Sequence, residues 1–317
     1  MKCPGSWARM PVSALCFLLS ACGGSGGVNT TPTPTATPTP TAAFPLTASV
    51  SFQPISGTSV YVGEFTDQIS APSDAIVSST SIAGNSSDVT IAYDAPSATY
   101  TVKSGSDTAS FSAVDRGSDG PAGPVYAKTA GTISDSFALL GNVQSGGVAP
   151  PITLSYTSYA QWTHNDSASR QTTIRYLLFG RPTGGRDMPL TGTASYQTAV
   201  SAYQLETGFA PAQRRTLSGT ATFQANFGNG TASTTLSFGA GTYTGSATIS
   251  SDKFNGTFAS NISTFVGGSF TGGFFGPSAK EMGYTFRITQ HIADPYAGAS
   301  VVPADTYISG VVVGVKN

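Results

Sequence analysis

Thr220–Phe238 reads TATFQANFGNGTASTTLSF, and this stretch decides the fold class. Ala221, Phe223, Ala225 and Phe227 alternate with Thr222, Gln224 and Asn226. A side-chain period of two puts the four apolar residues on one face of a strand. Asn229-Gly230 follows, a pair favoured in two-residue hairpin loops because both positions take positive φ. That loop predicts Phe227 opposite Ala232, Ala225 opposite Thr234, Phe223 opposite Leu236 and Ala221 opposite Phe238. Both apolar sides then share one face, and a slip of one residue destroys the match.

The same pattern extends in both directions. Tyr243, Gly245, Ala247 and Ile249 share a face, and Phe254, Gly256 and Phe258 return on it after a loop of about four residues around Ser251-Asp252. Thr153–Thr163, Thr172–Phe179, Thr285–Thr289 and Gly310–Val315 read as further strands. About eight such strands predict a closed antiparallel barrel, in which closure removes the edges. Alternation alone also suits a membrane barrel with its apolar side outward. Aromatic girdles at both strand ends are not evident, which favours the water-soluble form. Upstream, Val89–Tyr93, a turn at Asp94–Ser97 and Thr99–Val102 read as strand, turn, strand. Ala109–Val114 reads as another strand, Asp115–Pro124 as a loop, and Ile133–Leu140 stays open between strand and helix.

The start of the chain is an export signal. Lys2 and Arg9 precede a short apolar run, Val12–Leu19, and then small residues. The run is shorter than the roughly 20 residues a membrane helix needs. Leu19-Ser20-Ala21-Cys22 resembles the bacterial lipobox, which implies cleavage before Cys22 and lipid on Cys22. Gly23-Gly24-Ser25-Gly26-Gly27 and the Thr-Pro repeats to Pro40 then form a spacer. At about 3.1 Å per residue in polyproline form it reaches roughly 60 Å at full extension. The expected organisation is a lipoprotein signal peptide (1–21), a lipid-anchored tether (22–46), a small β-rich domain (47–147) and the barrel (148–317). The fold class is all-β.

Composition narrows the function. The three cysteines are Cys3, Cys16 and Cys22, so the processed body carries no disulfide, thiolate metal site or cysteine nucleophile. Loss of Lys2 and Arg9 leaves 13 basic residues against 16 acidic ones. That balance gives no case for nucleic acid or for a polybasic membrane patch.

Gly268–Phe286, read as GSFTGGFFGPSAKEMGYTF, resembles the signature near the end of the transferrin-binding protein B β-barrel domain. The residues that carry the resemblance are Gly272, Phe274, Phe275, Gly276, Pro277, Ala279, Glu281, Gly283 and Phe286. The sequence departs at Tyr284, where the family usually has a second glycine. Gly219–Phe227, Tyr156–Trp162 and Phe179–Thr183 also resemble barrel segments of that family. The resemblance implies an eight-stranded barrel preceded by a β-rich "handle", on a lipoprotein anchored in the outer membrane and displayed at the cell surface. It further implies binding of a protein, or of an iron- or haem-bearing ligand, beside a TonB-dependent outer-membrane transporter. No ligand-contact residue carries over, because the family's contacts lie in variable loops. Transferrin-binding members usually have two handle–barrel lobes, and this chain has room for one. Phe274 and Phe275 should face opposite sides, one into the barrel and one under the handle or a loop. Glu281 is read as a cap, as a partner of a buried arginine such as Arg287, or as an exposed acid.

No enzyme is expected. The two histidines, His164 and His291, lack metal-ligand spacing, and there is no G-x-S-x-G elbow or phosphate loop. Glu64 and Asp67 are weak as a carboxylate pair. No catalytic or metal site and no resident cofactor are assigned. Haem is a candidate ligand only if His164 and His291, both at strand ends, meet on one side; otherwise they are loop histidines. Tyr156, Tyr159, Trp162 and Tyr176 are either core or a recognition face. A non-catalytic envelope lipoprotein without a nutrient ligand is the alternative function.

Overall fold

The computed structural model describes residues 44, 46–63, 75–119, 123–140, 142–143, 152–207, 213–239, 241–292 and 304–317. The expected signal peptide with Cys22, almost all of the expected tether, Glu64 and Asp67 lie outside the described residues. The described chain is β throughout apart from two short 3-10 turns.

Eight strands close into an antiparallel barrel. They run Thr193–Glu206, Gly219–Asn226, Thr231–Phe238, Gly241–Ser250, Lys253–Ala259, Phe265–Phe275, Glu281–Ile292 and Ala304–Lys316, each paired with the next. The last pairs with the first, from Tyr196 opposite Lys316 to Glu206 opposite Thr306. Gln213–Leu217 pairs with Ala202–Glu206 in the same register that Gly219–Asn226 uses on Thr193–Tyr196. The two segments are thus one strand whose ladder is interrupted midway. Inside the barrel, Tyr196, Phe223, Phe254, Phe270, Phe274, Tyr284 and Phe286 form a continuous apolar core. Outside, the strands from Gly219 to Ala259 present Thr, Ser, Gln and Asn. This is the arrangement of a barrel in water, the reverse of a membrane barrel.

The deciding hairpin forms with a different register. Ala225 faces Ala232, Phe223 faces Thr234, Ala221 faces Leu236 and Gly219 faces Phe238. The loop is four residues, Phe227–Gly230, rather than two. Asn226 Oδ1 accepts the Asn229 N–H at 3.0 Å and Gly230 takes φ 63°. Phe227 instead donates its N–H to Gly192 O at 2.9 Å and stacks its ring near Phe274, 5.5 Å away. A shift of two residues keeps the apolar face inward, so burial cannot distinguish the registers and the loop contacts decide. The next hairpin tightens the other way. Ser250 faces Lys253, leaving only Ser251-Asp252 in the loop, with Ser251 at φ 57°.

The barrel boundary also differs from the expected 148. Thr157–Asp166 and Gln171–Gly180 do not enter the barrel. They are the centre of a six-stranded sheet with the order Ile76–Ala83, Ile55–Val62, Gln171–Gly180, Thr157–Asp166, Ile133–Leu140, Val125–Ala130. A second sheet of four strands has the order Val50–Phe52, Val89–Asp94, Thr99–Ser104, Asp107–Phe111. The expected strand at Ala109–Val114 stops at Phe111, and a 3-10 turn, Ala113–Asp115, follows. Together the two sheets form the handle, which therefore runs to Gly180, and the barrel begins at Thr193.

At its centre the six-stranded sheet is buried on both faces. Leu177, Phe179, Ala160 and Trp162 pack against Val102, Phe111 and Ile91 of the four-stranded sheet. Ile174, Tyr176, Leu178 and Tyr159 pack against Tyr203, Leu205, Val311 and Val313 on the outside of the barrel. The order is thus small sheet, large sheet, barrel. All three cores lie within the compact unit Thr39–Asn317, which carries its own core.

The register can be tested by cross-linking on the outer face of the barrel. Thr222 faces Thr235, so the double variant Thr222→Cys/Thr235→Cys is expected to form a disulfide on mild oxidation, read by peptide mapping. Thr222→Cys/Ser237→Cys, which the two-residue loop would bring together, is expected to stay reduced.

Candidate functional site

The family-signature segment lies where barrel and handle meet. Phe265–Phe275 and Glu281–Ile292 are adjacent barrel strands, joined through a 3-10 turn at Pro277–Ala279. Phe274 faces inward, with ring centroids 5.2 Å from Phe254 and 5.5 Å from Phe227. Phe275 faces outward and packs in the cluster that holds Ile55, Tyr156 and Leu178 of the handle. Gly272 and Phe286 line the strands, with Phe286 in the barrel core and Gly272 opposite Tyr284. Tyr284, at the position that departs from the signature, is buried in the barrel, where its hydroxyl lies 2.7 Å from Thr234 Oγ1. Ala279 is buried, and its carbonyl accepts the Tyr196 hydroxyl at 2.7 Å.

Glu281 is 1% exposed and does not pair with Arg287. Its Oε1 accepts the Ser155 N–H at 2.7 Å. Its Oε2 accepts the N–H groups of Tyr156 at 3.0 Å and Thr157 at 2.8 Å. Three successive backbone donors therefore converge on one buried carboxylate. Burial pushes the Glu281 pKa above the usual carboxylate value, while the three N–H bonds pull it back down. Arg287 reaches the handle elsewhere, donating Nη1–H to Thr80 O at 2.7 Å.

Backbone bonds knot the same place. Arg181 N–H donates to Tyr156 O at 2.8 Å, and Gly276 N–H donates to Arg181 O at 3.0 Å. Thr183 N–H reaches Phe274 O at 2.9 Å, and the Thr183 hydroxyl reaches Gly276 O at 2.8 Å. Gly276 has φ 71°, and a Cβ there would lie 2.5 Å from Tyr156 ring carbons. Only glycine combines that conformation with that approach. At Gly283 a Cβ would lie 2.7 Å from a Leu178 methyl, so its absence lets the handle strand settle on the barrel.

The aromatic group resolves as core. Tyr159, Trp162 and Tyr176 are at most 2% exposed and Tyr156 is 8% exposed. Trp162 belongs to the handle core, and the three tyrosines to the handle–barrel interface. Two polar residues that the sequence reading missed lie beside Trp162. Asp135 is buried and accepts Trp162 Nε1–H at 2.9 Å, with His164 Nδ1 at 2.8 Å. The Arg175 guanidinium lies 4.6 Å above the Trp162 ring and donates to Asp107 at 2.8 Å. Burial lowers the Arg175 pKa, and Asp107 opposes that shift. The signal was present: Arg175 interrupts the apolar run Ile174–Phe179, and Asp135 shares a strand face with Phe137.

The structure does not bring His164 and His291 together. His164 shares the face of Trp162, turned toward the four-stranded sheet, whereas His291 is on a barrel strand and pairs with Asp305. The six-stranded sheet lies between the first face and the barrel, so a shared iron is excluded by topology. Among the described residues, no group of three or more His, Cys, Asp or Glu is placed to hold a metal.

Residues 188–306 match the family model described as the C-lobe and N-lobe β barrels of transferrin-binding protein B. This stretch, which holds most of the barrel, is similar to that family's barrels. The chain is also similar to a transferrin-binding protein B mutant from Haemophilus parasuis, at 12% identity over 85% of this chain and 76% of that one, with TM-score 0.36. Transferrin-binding protein B from Neisseria meningitidis gives 12%, 86%, 77% and 0.36 in the same terms. HpuA from Kingella denitrificans, solved in complex with human haemoglobin, gives 12%, 89%, 91% and 0.35. No curated protein matches the chain.

Two substitutions test the knot where barrel and handle meet. Glu281→Gln keeps the volume but replaces one acceptor oxygen by an amide that cannot accept; a loss of about 2–3 kcal/mol is expected in urea unfolding. Gly276→Ala adds strain and overlap, for about 2–4 kcal/mol. The pH dependence separates charge from shape. The folded-state pKa of Glu281 lies above the unfolded one, so the folded chain holds the proton between the two values. Wild-type stability is therefore expected to fall, relative to Glu281→Gln, as pH rises through that window just above the usual carboxylate value.

Proposed function

We propose that the protein is a lipoprotein anchored through Cys22 in the outer membrane, which holds its handle and barrel at the cell surface to bind a protein ligand. On this reading it is the accessory capture component of an uptake system for an iron- or haem-bearing ligand, working beside a TonB-dependent transporter. The observation that carries the reading is the family match over residues 188–306, whose described family is named for transferrin binding. The architecture supports it. The middle of the barrel is filled by rings, so recognition of a protein falls to loops and outer faces held by a rigid scaffold. If the cargo is haem, its iron takes Nε2 of one of His164 and His291, not both, while Nδ1 stays on its aspartate.

Two measurements test the proposal. Cys22→Ser is expected to abolish palmitate labelling and to move the protein out of the membrane fraction; unchanged labelling would refute the anchor. Immobilised Thr39–Asn317 is expected to retain one protein saturably from host fluid or from solubilised outer membranes. Retention of none, with an envelope defect on deletion of the gene, would favour the structural lipoprotein instead.

A further inference from the structure

The two ends of the barrel differ. One is closed by Phe274, Ala279, Met282 and Phe227 beneath the signature turn. At the other, Phe238 stacks on Phe286 with centroids 6.0 Å apart, and the Tyr243 ring packs between Phe238 and Phe265. Against these rings lies an open cup of about 360 Å³. This is within the range of small-molecule sites, about 300–1,000 Å³, and barrel mouths are among the places such sites occur.

The lining has two characters. Leu217, Phe238, Ile262 and Ile308 give an apolar wall, and Gln204 and Gln290 give two side-chain amides. Gln290 is 9% exposed and donates Nε2–H to the Tyr243 hydroxyl at 3.0 Å. Its Oε1 acceptor is not used by that bond. The charges at this end are already matched: Glu206 takes Arg215 at 2.6 Å and the Gln204 amide.

We infer that the barrel mouth is a binding site for a small neutral amphiphile, whose apolar body lies on Leu217, Phe238, Ile262 and Ile308 and whose hydrogen-bonding head meets Gln204 and Gln290. The matched Glu206–Arg215 pair selects against a charged head, since among the described residues that line the cup none is charged. The site is separate from the handle–barrel knot and does not depend on the protein ligand proposed above.

The probe is N-phenyl-1-naphthylamine, a neutral arylamine that fluoresces in apolar surroundings, titrated into detergent-free Thr39–Asn317. The expected result is a blue-shifted, saturable signal at one probe per chain. Ile262→Trp, in a partly exposed loop, should fill the cup and weaken binding at least tenfold. Gln290→Leu should weaken it severalfold through the head group. Leu190→Ser, at an exposed residue outside the cup, should bind as wild type. Unfolding midpoints check that each variant is folded. Absence of saturable binding to the wild type, or binding unchanged in a folded Ile262→Trp, would overturn the assignment.

Discussion

A single buried carboxylate sets how the two halves of this protein meet. Glu281 extends from the first residue of a barrel strand, and the donors it satisfies are backbone amides of Ser155, Tyr156 and Thr157, where the chain enters the handle's central strand. Taking a carboxylate out of water costs several kcal/mol. Hydrogen bonds to a charged acceptor return about 1.5–3 kcal/mol each, so three of them roughly offset the burial. Two would not, and an apolar residue would leave three amides unsatisfied. The interaction therefore fixes position more than it adds stability. With the amides held, the Tyr156 carbonyl meets Arg181, the Tyr156 ring covers Gly276, and Phe275 finds its place in the interface.

The layered packing follows from that anchor. The six-stranded sheet has no wet face at its centre: one side belongs to the handle core and the other lies on the barrel. Handle and barrel thus form one body, in which loops at the barrel mouth and at the handle edges move with a common frame. Tyr284 illustrates how the barrel itself is made rigid. Where the family signature has glycine, this chain places a ring among Phe254, Phe270 and Phe286 and ties its hydroxyl to Thr234.

The parts of the fold legible in the sequence are those with one wet face. From Gly219 to Ala259 each strand alternates Thr, Ser or Asn with an inward apolar residue, and the hairpins can be read directly. Even there the register at Asn229-Gly230 was off by two, because such a shift leaves every side chain on the same face. Ile174–Phe179 and Val311–Val313 could be read as strands but not placed, since burial on both faces erases the alternation that tells a sheet which way it points. That is why Gln171–Gly180 looked like a barrel strand and proved to be the middle of the handle. At the junction, the opposite facing of Phe274 and Phe275 follows from the strand period. The partner of Glu281 did not, because backbone amides 124 to 126 residues away leave no mark in composition or spacing. Arg175 and Asp135 left a visible mark, as charges on faces that are otherwise apolar.

The central claim is that handle and barrel unfold as one unit tied at Glu281. Trp162 lies in the handle core and is the only tryptophan of Thr39–Asn317, the other being Trp7, so its fluorescence reports the handle alone. The decisive measurement is urea unfolding of Thr39–Asn317 followed by Trp162 fluorescence and, on the same samples, by hydrogen exchange of barrel peptides from Gly219 to Ala259. The account predicts coincident midpoints in the wild type and separated ones in Glu281→Gln. Separate transitions in the wild type, with the barrel outlasting the handle, would contradict it.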